Sequence, residues 1–130
     1  MGRTIKYKKN LLTLSIGVYS NGELAIRTYN TSKGYLEPYA NLTVNLDTNI
    51  QHIELDKYCA YIDVENLSND ILEVLVKENL GNLTGKGIEI TSSFGSIVFP
   101  EFKFNKEALL KFDEDNVEEY DELWEVNHIN

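Results

Sequence analysis

At 130 residues the chain is the size of one ordinary domain, and 42% apolar residues with eight Tyr, five Phe and one Trp suffice for a single core, which excludes a disordered chain. Twenty-one Asp and Glu against 12 Lys and Arg leave a formal net charge of −9. Phosphates are repelled by such a surface, so direct nucleic-acid binding is disfavoured, whereas contact with a basic partner is permitted.

The first ten positions form a basic arm with Arg3, Lys6, Lys8 and Lys9, and Ile5 and Tyr7 are spaced for a first edge strand. The following LLTLSIGV imitates a signal peptide in outline. However, Thr13 and Ser15 alternate with apolar neighbours and no small-residue cleavage site follows, so the stretch reads as a strand. No apolar run is long enough to span a membrane. Residues 12–20 place Leu12, Leu14, Ile16 and Val18 on one face, and Asn21-Gly22 marks a hairpin because both residues tolerate positive φ. The return strand is expected over 23–29, with Leu24 and Ile26 inward.

Residues 30–38 read as a polar loop, and 39–46 as a third strand with Leu42, Val44 and Leu46 alternating. After an irregular polar stretch at 47–56, residues 57–64 form a fourth strand. It contains Cys59, the one cysteine, which rules out an intrachain disulfide and favours a cytosolic setting. Within YCAYI this residue reads as a small core side chain, with a reactive thiol as the alternative. The one convincing long helix is 69–81, where Ile71, Leu72, Val74, Leu75, Val76 and Leu80 make a wide apolar face. Asn69 is placed to cap it and Gly81 to end it. A loop is expected at 82–87, a strand at 88–91, its continuation at 97–99, and an interruption at Pro100 before Phe102 and Phe104 resume the alternation. Asn105 then caps a short helix over 106–112. The expected fold is α+β: a twisted, mainly antiparallel sheet with the main helix on one face and a short C-terminal helix. The domain spans 1–112 and an acidic segment spans 113–130.

Catalytic patterns are weak. His52, Glu54 and Asp56 supply too few ligands for a structural zinc site. The GNLTGKG stretch at 81–87 has the wrong spacing for a phosphate loop and follows a helix instead of opening one. Two histidines give no triad pattern. A non-enzymatic protein without cofactor or metal is therefore expected.

The last segment differs in character. Asp113, Glu114, Asp115, Glu118, Glu119, Asp121, Glu122 and Glu125 occur there without a single Lys or Arg, while Val117, Tyr120, Leu123 and Trp124 recur at roughly helical spacing. One reading is a solvated tail that keeps the protein soluble. The other is a row of carboxylates that imitates a phosphate backbone and occupies an Arg/Lys-lined groove, with Tyr120 and Trp124 as anchors.

PYANLTVNL (38–46), YCAYIDVEN (58–66), KENLGNLTG (77–85) and SSFGSIVFPEFKF (92–104) together resemble successive blocks of an uncharacterised family of small acidic proteins carried by phages and conjugative elements of Firmicutes. The resemblance spans roughly positions 20–112 and carries no catalytic motif. It implies a cytoplasmic accessory protein of a mobile element in a bacterial host. By analogy with anti-CRISPR proteins, the expected role is a non-enzymatic inhibitor of host defence that binds a Cas effector through Asp113, Glu114, Asp115, Glu118, Glu119, Tyr120, Asp121, Glu122 and Trp124. The alternative is an assembly protein of the element, a homodimer joined through an exposed strand edge.

Overall fold

The computed structural model describes residues 3–46 and 54–128. Among the described residues, eight strands form two four-stranded antiparallel sheets and four helices pack beside them, an α+β fold. The first sheet has the order β1-β2-β3-β4, with β1 at Ile5–Tyr7, β2 at Asn10–Val18, β3 at Leu24–Asn30 and β4 at Glu37–Asn41. The second has the order β5-β6-β8-β7, with β5 at Thr43–Val44, β6 at Cys59–Ile62, β7 at Gly81–Ser92 and β8 at Gly95–Phe104.

The Asn21-Gly22 signal is obeyed. Gly22 takes φ +88°, and β2 pairs with β3 from Val18↔Leu24 to Leu12↔Asn30. Leu12, Leu14, Ile16, Leu24 and Ile26 all face the core, as their alternation requires. The single sheet expected from the sequence is instead two, because the third strand breaks at Leu42. That residue is fully buried; its N–H donates to the Ile26 carbonyl of the first sheet, and its own carbonyl accepts from the Asp63 N–H beside the second. Residues 37–41 and 43–44 thus belong to different sheets.

The main helix is shorter than its pattern. A one-turn helix, α1 at Val64–Leu67, precedes α2 at Asp70–Lys77. Asn69 makes no side-chain cap, and the helix ends at Glu78 with Asn79 in the left-handed region (φ +62°). Gly81 has another duty. At φ +153° it starts β7, where a Cβ would lie 2.0 Å from the Lys103 carbonyl oxygen. The loop expected at 82–87 is part of β7, irregular between Leu83 and Gly87. Pro100 does not interrupt β8 either. The β6–β8 ladder stops at Tyr61↔Glu101, so Pro100 lies one residue past it and keeps its pairing with Gly87 of β7 alone. Beyond this point β7 and β8 run on as a two-stranded arm with exposed residues on both faces and Phe94, 99% exposed, at its tip.

Asn105 accepts from the Glu107 N–H and caps α3 at Lys106–Leu110, as expected. The acidic segment then forms α4 at Glu114–Asn127. Val117 and Tyr120 on this helix are fully buried in the common core, so the boundary expected at 112/113 falls between two helices that share one interior. His52 lies outside the described residues.

Candidate functional site: the acidic C-terminal helix

Like charges crowd α4. At 100° per residue, Val117, Tyr120, Asp121 and Trp124 fall on one side, and Glu114, Glu125, Glu118, Glu122, Asp115 and Glu119 fall within an arc of about 140° on another. The pairs 114–118, 115–119, 118–122, 115–118, 119–122 and 122–125 are helical neighbours of one sign, each unfavourable by roughly 0.2–0.5 kcal/mol. Glu122 and Glu125 also sit near the negative end of the helix dipole, with no basic residue in the last turn. Local propensity therefore works against this helix, and its packing holds it.

Three features do the holding. The Asp113 carboxylate accepts the Ile16 N–H at 2.9 Å and the Asn116 side-chain amide at 2.9 and 3.1 Å. The short β1 leaves β2 after Leu12, so Ile16 has no strand on that side and Asp113 takes its amide. Next, the Tyr120 hydroxyl accepts the backbone N–H of Tyr58 at 3.0 Å, and the two rings meet edge-on at 5.1 Å. Tyr58 is itself left-handed (φ +66°) at the entrance to β6. Burial pushes the Tyr120 phenol up to about 12, the Tyr58 amide opposing it.

Finally, Asp121 is the hub of a charge cluster. It pairs with Lys57 and Lys106 and accepts from the Tyr58 hydroxyl at 2.9 Å, while Lys57 also reaches Glu125 at 2.8 Å. Burial alone would raise the Asp121 carboxyl. The hydrogen bonds from Lys106, Lys57 and Tyr58 overcome it and hold the group down at about 2.

These contacts sort the nine residues expected to bind a partner. Tyr120 is removed from that surface because it is a core residue with its hydroxyl engaged, and Asp121 because its charge is neutralised inside the fold. Asp113 is committed to β2 and Asn116. Glu114, Asp115, Glu118, Glu119 and Glu122 remain exposed to solvent. Trp124 is half-buried and stacks on His128, ring centroids 3.5 Å apart.

One neighbouring feature escaped the sequence reading. Beside Asp113 lies a hollow of about 480 Å³ lined by Thr13, Ser15, Tyr29, Leu36 and Phe112 among others. Leu36 stands in a stretch read as a polar loop, and nothing periodic marks it. Among the described residues, no group of three or more His, Cys, Asp or Glu is placed to hold a metal ion. No helix among them is long and apolar enough to cross a membrane.

The chain belongs to the family described as Domain of unknown function (DUF4313), which matches residues 13–124. The match reaches past the 20–112 stretch of the sequence resemblance and takes in nearly all of α4. Neither the curated proteins nor the solved structures include a match to this chain.

Proposed function

We propose that this DUF4313 protein is a non-enzymatic inhibitor that competes with nucleic acid for a basic groove, carried by a mobile element and directed at a Cas effector of the bacterial host. The supporting observation is the charge spacing on α4. From Glu114 to Glu122 the helix rises about 12 Å and carries five exposed carboxylates, one per roughly 3 Å of axis. One strand of a nucleic acid carries one phosphate per roughly 3.4 Å. A groove of Arg and Lys side chains built for a strand meets nearly the same linear charge on this helix, and the field steers the two proteins together. The like-charge neighbours on α4 favour this reading over simple solubility, since charges scattered over the surface would serve solubility without destabilising the helix.

The test is a binding titration of the full-length protein against purified Cas effectors, free and loaded with nucleic acid, from low to high salt. Affinity should fall steeply with salt and be lost once the groove is filled. Substituting Glu118→Gln, Glu119→Gln and Glu122→Gln together should weaken it at least tenfold. Binding that ignores both salt and these substitutions overturns the mimicry.

A second reading is favoured by the arm. With Phe94 fully exposed, Val98 54% and Ile90 37% exposed, and β7 at the edge of its sheet, the arm suits an assembly protein that self-associates through that edge. Concentration-dependent sedimentation of the parent and of Phe94→Ser separates the two: a dimer lost on substitution supports assembly, a monomer at all concentrations rejects it.

A further inference from the structure

Resting on the competitor reading, we propose that the hollow beside Asp113 receives an apolar side chain from the same basic partner, so that the partner is gripped by a neutral anchor next to the carboxylate row. The outward face of β2 forms the floor, with Thr13 paired across the ladder to Tyr29. Leu36 and Phe112 make apolar walls, and Asp113 closes the rim one residue before α4 begins. Exposed apolar residues occur at this rim as they do on the β7–β8 arm, but here they adjoin the carboxylate row. Leu36 is 63% exposed, the adjoining Tyr35 60%, and Leu11, two residues before Thr13 and on the same face of β2, 46%. Apolar surface clustered at a rim of charge is how protein interfaces are built: a few buried anchors give the binding strength, and the surrounding charges give approach and register.

The occupant follows from charge complementarity. A nucleic acid or an acidic protein would meet Asp113 and the exposed carboxylates of Glu114, Asp115, Glu118, Glu119 and Glu122. An Arg- and Lys-bearing protein segment with one Leu, Ile or Phe at its end satisfies both halves of the surface. The sequence order fixes the arrangement: the apolar contact lies at the start of α4, and the basic residues run along the helix away from it.

Two synthetic peptides test this on the full-length protein, one of five arginines spaced by glycines and preceded by leucine, the other identical but with glycine in place of the leucine. The leucine peptide should bind about tenfold more tightly, because one buried aliphatic side chain supplies roughly that much. Amide shifts in the protein's spectrum should include Thr13, Ser15, Leu36 and Phe112. Leu36→Ser, which removes the apolar wall at a site 63% exposed without adding charge, should reduce the tenfold difference to less than threefold while both peptides still bind. Equal affinity of the two peptides, or shifts confined to α4, overturns the hollow while leaving the charge reading intact. Failure of both peptides to bind overturns both.

Discussion

Removing the charge of Asp121 while keeping its shape, as Asp121→Asn, isolates the cluster that ties α4 to the body. The folded protein lowers this carboxyl from 3.8 to about 2. Each tenfold change in acidity is worth about 1.4 kcal/mol, so the ionised form contributes about 2 kcal/mol to stability. Its side chain is 17% exposed, and solvent screening trims this to about 1.5 kcal/mol. The sign follows from linkage. A carboxyl depressed by folding stabilises at every pH above its unfolded value near 4, and the contribution fades as pH falls through about 2. Urea unfolding at pH 7 should therefore show the variant about 1.5 kcal/mol less stable, with a melting temperature lower by about 5 °C for a chain of this size. At pH 2 the gap should shrink by more than half. Equal stability at pH 7, or a gap of the same size at pH 2, would refute the account of the cluster.

Gly81→Ala should cost more than about 3 kcal/mol, since a Cβ there meets the Lys103 carbonyl and the ring of Phe102; an unchanged urea midpoint rejects this. The triple substitution of Glu118, Glu119 and Glu122 by Gln should stabilise the fold by about 1 kcal/mol while it weakens partner binding, and a lowered melting temperature would contradict the like-charge argument. The Cys59 thiol, 2% exposed and pushed up to about 11 by burial, should resist a thiol reagent at pH 8 until urea unfolds the chain; labelling of the folded protein would show the burial to be wrong.

The hairpin at Asn21-Gly22 and the cap at Asn105 could be read in advance because their causes are local: a positive φ and an unsatisfied helix N–H are met by residues within reach. The end of α2 could not. Asn79 and Gly81 both tolerate the left-handed region, and only the Lys103 strand lying against Gly81 decides which of them ends the helix. Leu42 was beyond reach for a similar reason. An alternating run looks the same whether it stays in one sheet or crosses to another, and the crossing is fixed by Ile26 and Asp63. On α4 the signal was present but misassigned. Val117, Tyr120 and Trp124 recur at helical spacing, which marks an inward stripe, whereas Tyr120 was expected to face a partner. Asp121 gave no such sign, since Lys57, Tyr58 and Lys106 reach it from other elements.

The bond from the Tyr58 amide to the Tyr120 hydroxyl bears on how the protein is made. The left-handed turn that launches β6, the strand between β5 and β8, is steadied by a side chain 62 residues further along the chain. Synthesis delivers the amino terminus first, so the nascent chain leaves Tyr58 without this partner until the fourteen-residue helix α4 emerges. A ribosome that stops at residue 112 releases an unfinished interior, and such a fragment is a substrate for chaperones and proteases rather than a smaller version of the protein.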